Sequence, residues 1–216
     1  MIKRRIVPIV EGHGEERAIP CLMRRWLRYR GFCKFFEVPG LAINAKGCGK
    51  LKAPYDRLRH IGIEHYVEAA LRNKPDAILI VIDADEECLN RDPSNGLGPK
   101  LVSRAKDVAG TIPLGVVVAN REYEAWFLAS ITSIRAAGLF PNRINVNGNF
   151  NPELPRDCKG IIASLMGCPY EETIHQLKLT ERLTFSPKAK YRSPSYGKFQ
   201  RDLERLTREV RKRALG

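Results

Sequence analysis

Ile6-Val7-Pro8-Ile9-Val10-Glu11-Gly12-His13-Gly14-Glu15 stands near the start of the chain, behind the basic residues Lys3, Arg4 and Arg5. A short apolar run ends in an acid, and two glycines follow. Such a run, bounded by glycine, reads as a buried strand. Glu11 then lies at the carboxyl end of that strand, where open α/β sheets bind their ligands. Ala77 to Ile82 repeats the pattern and closes on Asp83-Ala84-Asp85. Its continuous apolar run suits a strand covered by helices on both faces. One acid at one strand end carries little. Acids at two strand ends point to a metal site.

The stretches between these strands alternate in kind. Ile19, Leu22, Met23, Trp26 and Leu27 recur at helical spacing over residues 15–30, with Arg24, Arg25, Arg28 and Arg30 among them. Pro20 lacks an N–H and clashes with the preceding turn. Regular helix is therefore expected from about residue 18, with Glu15 in a looser segment, and Gly31 as the stop. Phe32 to Val38 is the second expected strand, ended by Pro39-Gly40. A helix over 55–73 follows, weakened in its middle by Gly62, and a turn at Lys74-Pro75-Asp76 leads into the strand 77–82. A loop over 90–100 and a short helix over 99–109 precede a fourth strand, Leu114 to Ala119. Asn120 is the expected N-cap of a helix running to about residue 137.

Strand and helix thus alternate four times. The pattern predicts an α/β fold with a mostly parallel four-stranded, Rossmann-like sheet flanked by helices. Residues 1–137 form this core. Residues 138–216 form a basic, loop-rich and helical C-terminal extension packed on it. Polar loops occupy 138–157, short helices 161–166 and 171–177, and an amphipathic helix 196–212 carries Phe199, Leu203, Leu206 and Val210.

The 216 residues hold 37 Lys and Arg against 24 Asp and Glu, a net charge of +13. A basic surface favours association with nucleic acid or an anionic membrane. Acids clustered inside a basic protein need a reason, and holding Mg²⁺ or Mn²⁺ against phosphate is one. The six cysteines are scattered without zinc-type pairs, and no run is long enough to span a membrane. A cytoplasmic chain with reduced thiols and no membrane partner is expected. Ala45 to Lys52 holds Gly47, Gly49, Lys46, Lys50 and Lys52, but Gly49-Lys50 is followed by Leu51. No hydroxyl is placed for magnesium, which rejects an ATP loop. These three lysines read instead as a flexible basic loop against a nucleic-acid backbone, joined by Arg192 and Lys198 from the tail.

The candidate metal ligands are Glu11, Glu15, Asp83, Asp85 and Glu124. In regular strand Asp83 and Asp85 would face the same way. Glu122 competes with Glu124, and on a helix the two point in different directions. His13 is a secondary candidate for proton transfer or phosphate contact. Tyr55, Tyr123, Tyr191 and Tyr196 read as structural or substrate-contacting.

Val10-Glu11-Gly12 after one strand and Asp83-Ala84-Asp85 after a later one resemble the Toprim fold of topoisomerases, bacterial-type primases and nucleases. Glu11 followed by Glu15 is closer to the nuclease branch related to the overcoming-lysogenization-defect family. Asn120-Arg121-Glu122 with Glu124-Ala125-Trp126 resembles an uncharacterised Toprim-like family, domain of unknown function 4276, whose members often look like components of bacterial defence or mobile-element loci. The resemblance covers about residues 5–130. It implies Glu11 as general acid/base or metal ligand, Asp83 and Asp85 as Mg²⁺ ligands, and Glu15 and Glu124 for a second metal. It also implies an assisting late lysine, with Lys188, Lys190 and Lys198 as candidates. The expected activity is metal-dependent nuclease action on DNA or RNA. The alternatives are a non-catalytic nucleic-acid-binding subunit working with a separate ATPase, and phosphotransfer on a small phosphorylated molecule. A homodimer is left open.

Overall fold

A computed structural model describes residues 2–85, 96–142 and 150–215. Glu86, Glu87 and Cys88, most of the loop expected over 90–100, and the centre of the loop expected over 138–157 lie outside the described residues. The core elements are β1 (Arg4–Val10), α1 (Glu15–Tyr29), β2 (Phe36–Glu37), β3 (Ile43–Asn44), α2 (Cys48–Lys52), α3 (Ile63–Leu71), β4 (Ala77–Asp83), α4 (Leu97–Ala109) and β5 (Leu114–Ala119). Beyond them come α5 (Ala125–Ala129), α6 (Ile131–Ala136), α7 (Cys158–Met166), a π-helical turn (Glu172–Gln176), α8 (Leu177–Thr180), α9 (Pro187–Arg192) and α10 (Pro194–Leu215).

Every strand pairing is parallel, and the order is β2-β1-β4-β5, with β3 also on β1. β4 occupies one side of β1 over Ile6 to Val10. β2 and β3 therefore share the other side, at its start and its end. The expected strand over 32–38 is in fact this broken edge. Phe32 to Phe35 form a turn in which Phe35 and Phe36 N–H groups donate to Phe32 O. Pro39, which has no ladder N–H, falls in the gap between the two pieces.

Side-chain alternation divides the core into two layers. Ile6, Val10, Leu79, Val81 and Val117 pack with α1, α10 and the rest of the C-terminal half. Val7, Ile9, Ile78, Ile80 and Val116 pack against α3 and α4. The extension supplies Phe140, Ile162, Leu165, Leu179, Phe199 and Leu206 to the first layer, so it helps build the core. No helix among the described residues is long and apolar enough to cross a membrane.

Several boundaries differ from the sequence reading, each for a local reason. α1 begins at Glu15 with Pro20 inside it. Glu16 O, which an N–H at position 20 would have bonded, accepts instead from Ala42 N at 2.9 Å. The helix expected from residue 55 begins at Ile63, because Gly62 has φ +93 and a β-carbon there would stand 2.6 Å from Tyr55 Cα. Residues 48–52, read as loop, form α2. The helix expected from Asn120 begins at Ala125 and is interrupted at Ser130, since Arg121 takes φ +67.

Candidate active site

The chain leaves β1 towards one edge of the sheet, then crosses to place β4 on the other side of β1. In a doubly wound sheet this reversal opens a crevice at the carboxyl ends of the two central strands. Glu11 and Asp83 stand at those ends. Asp83 N–H donates to Glu11 Oε2 at 3.0 Å, fastening the two termini together. Both residues are half-buried.

Glu15 and Glu124 join them from the helical layer. Asp83 follows Ala77, Leu79 and Val81 on the face covered by α1. Glu15 opens α1 and Glu124 is the N-cap of α5; they are 9% and 1% exposed. The Glu15 carboxylate folds back onto Gly12, whose N–H donates to Oε2 at 3.0 Å. Gln176, wholly buried, donates from Nε2 to Glu15 Oε1 at 2.8 Å and to Glu124 Oε1 at 3.3 Å. Tyr170 Oη donates to the same Glu124 oxygen at 2.8 Å. One amide thus spans two acids from separate elements, and it sits at the end of a π-helical turn, a distortion frequent at functional sites.

The glycines of the opening stretch serve this packing. A β-carbon at Gly12 would lie 2.9 Å from Glu15 Oε2, and one at Gly14 would fall on the Gln176 carboxamide. Gly14 has φ −63. Close approach, not a special backbone angle, requires glycine there.

Burial and the neighbouring acids raise the pKa of two members of the cluster, Asp83 and Glu124. Asp83 is held well above the usual carboxylate range, first by burial and then by Glu124, Glu15, Glu11 and Asp85. Burial pushes Glu124 up to about 7, against the lowering pull of Lys159 and the Tyr170 hydrogen bond. Lys159, on α7, donates to Glu172 Oε1 at 2.5 Å. Burial alone would lower its pKa, but Glu172, Glu124 and Glu122 outweigh that and raise it.

The remaining candidates are distributed around this centre. β4 ends at Asp83, and Asp85 takes a left-handed backbone (φ +52), so the two aspartates do not share a strand face as expected. Asp85 is exposed and pairs with Lys52 Nζ at 3.4 Å. Glu122 turns away from Glu124, with the N–H groups of Cys158 and Lys159 against its carboxylate. Lys46 and Lys50 are exposed, beside Glu11, since Gly47 N–H donates to Glu11 O at 2.8 Å. His13 is exposed next to them, with Nδ1 3.1 Å from Asn44 Nδ2. Lys188, Lys190 and Arg192 lie on α9, which packs mainly on α5 and α10. Lys198 Nζ is committed to Val116 O at 2.8 Å and Asp202 Oδ2 at 2.6 Å, along the flank of β5. Tyr123 and Tyr196 are core residues, while Tyr191 is exposed.

Tyr170, Gln176 and Lys159 escape a reading of the sequence. No motif marks them, because their roles arise only when the extension folds over α1 and α5. Among the described residues, no three acidic, histidine or cysteine side chains already stand as a closed metal-binding group. Magnesium usually takes one or two carboxylates with several waters and substrate phosphate. The all-oxygen donor set of Glu11 and Asp83 fits that kind of ion.

Fold and site together define a doubly wound, parallel α/β protein with an acidic crevice at its topological switch point. No protein family, curated protein or solved structure matches the chain.

Proposed function

We propose that the chain is a Mg²⁺- or Mn²⁺-dependent nuclease that hydrolyses phosphodiester bonds in DNA or RNA. The observation that carries this reading is the meeting of Glu11, Asp83, Glu15 and Glu124 at one crevice in a chain of net charge +13. The resemblance of the Glu11 and Asp83-Ala84-Asp85 stretches to Toprim-fold nucleases supports it, and extends it to a role in bacterial defence or mobile-element systems.

Glu11 and Asp83, the two half-buried acids, are the residues to hold the metal. When bound, such an ion polarises a phosphoryl oxygen and lowers the pKa of an attacking water. Glu124, raised to about 7, exchanges a proton near neutral pH, as a general acid or base requires. Gln176 and Tyr170 fix which oxygens of Glu15 and Glu124 are engaged. Lys46 and Lys50 flank Glu11 and hold the phosphate backbone, giving sequence-independent, salt-sensitive binding.

The test is cleavage of labelled single- and double-stranded DNA and RNA with Mg²⁺, Mn²⁺ or chelator. Metal-dependent cleavage lost in Asp83→Asn and Glu11→Gln supports the site. Cleavage that survives both substitutions overturns it. Tight binding without cleavage under either metal turns the reading to a non-catalytic subunit, and hydrolysis confined to mononucleotides turns it to small-molecule phosphotransfer.

A further inference from the structure

The edge of the sheet opposite the acids carries a second feature. α10 runs antiparallel to β5: Lys198 reaches Val116 O, and Arg205, two turns later, reaches Leu114 O. The C-terminal end of α10 therefore lies where the strands begin. There it meets the turn after α1, since Arg4 N–H at the start of β1 donates to Phe35 O. A strand of seven residues separates this end from the acid cluster by about 20 Å.

At this edge Phe32, Thr207, Arg208, Arg211 and Lys212 line a groove of about 350 Å³. The Arg211 guanidinium stands 5.6 Å from the ring centroids of both Phe32 and Phe35. Phe32 is backed by Trp26 and Phe36, each with ring centroids at 6.2 Å, which holds it rigid. Phe35 is 39% exposed, and Arg208, Arg211 and Lys212 are exposed. Glu204, the acid in the groove lining, pairs with Arg30.

We infer that this edge is a docking surface for single-stranded nucleic acid. Unpaired bases stack on the Phe32 and Phe35 rings and on the Arg211 plane, while Arg208 and Lys212 take the phosphates. A basic groove combined with aromatic faces is what unpaired, sequence-tolerant binding requires. A duplex hides its base faces within the stack, leaving phosphates, sugars and base edges, and a lipid surface offers no ring to stack. The site is remote from Glu11 and Asp83, so it stands whether or not the acids cleave.

The experiment uses the full chain in chelator, so that cleavage does not intervene. Fluorescence anisotropy follows a labelled oligothymidylate of about 20 nucleotides, longer than the roughly 4–16 that a single-strand groove covers. A duplex of equal length and phosphatidylserine vesicles are the comparisons. Phe35→Ala is expected to weaken single-strand binding by about 5- to 100-fold and to leave duplex binding nearly unchanged. Arg208→Glu with Lys212→Glu removes two phosphate contacts, so the slope of log K against log salt falls by about 1.4. Photocrosslinking of a thiothymidine strand to the unmodified chain is expected to label Phe32 or Phe35, a readout independent of any variant. Wild-type affinity in both variants overturns the inference. So does crosslinking confined to residues 46–52, or loss of vesicle binding with single-strand binding intact.

Discussion

At the residue scale, the lower exposure of Glu124 than of Asp83 decides what each substitution does. Glu124→Gln keeps an acceptor oxygen for Tyr170 and Gln176 while removing a buried charge from beside Glu15 and Asp83. It is expected to stabilise the metal-free protein at pH 8 by on the order of 2 kcal/mol, raising Tm by several degrees, while lowering cleavage at least about tenfold. Thermal melts beside cleavage rates check this, and a lower Tm would show that the charge is compensated in the fold. Gly14→Ala puts a methyl group on the Gln176 carboxamide. Overpacking of this kind costs about 1–3 kcal/mol, read as a lowered denaturation midpoint. A restored midpoint in Gly14→Ala with Gln176→Ala would trace the loss to that one contact. Gly14 illustrates the limit of reading residues in order. Its presence in Gly12-His13-Gly14 signals a turn, yet the side chain that demands it is 162 positions away.

At the element scale, tertiary contacts overruled local propensity wherever a backbone group found an outside partner. Pro20 argues for a later helix start, but Ala42 N takes the carbonyl that Pro20 leaves unbonded, so α1 runs through it. Lys198 and Arg205 illustrate the same logic at the edge of the sheet. β5 ends the strand order, and its outer carbonyls at Val116 and Leu114 accept from these two side chains. Long side chains that cover an edge also guard it against pairing with other chains. Lys198→Ala with Arg205→Ala is expected to lower stability by about 1–2 kcal/mol and to promote self-association, visible as concentration-dependent light scattering. An unchanged scattering profile would mean that α10 covers the edge without them. Nothing in the local sequence separates a lysine that seals an edge from one that meets a phosphate.

At the scale of the whole molecule, the acid cluster sets how stability responds to pH. Asp83 and Glu124 have folded-state pKa values raised above their ordinary ones. The folded protein therefore binds these protons more tightly than the unfolded chain. Their contribution is fully present below the ordinary carboxylate range and is lost as pH rises, for Glu124 through about 7. In chelator, Tm is expected to fall between pH 5 and pH 8, on the order of 2–4 °C per kcal/mol lost. Added Mg²⁺ is expected to restore more of it at pH 8 than at pH 5, because only ionised acids bind the cation. Melts at the two pH values, with and without Mg²⁺, decide the matter, and an equal or absent Mg²⁺ effect would remove the metal from this site. The alternation of apolar runs with helical spacing is local chemistry, since the backbone repeat alone sets which way each side chain points. By itself it determined the parallel α/β sheet and the strand ends that carry Glu11 and Asp83. Tertiary structure alone decided that Glu122 faces away, that Asp85 leaves the strand, and that Lys159, Tyr170 and Gln176 come from the extension to the acids. Those outcomes depend on how distant elements pack, and the Glu15–Gln176 hydrogen bond, which closes the site, crosses 161 residues of chain.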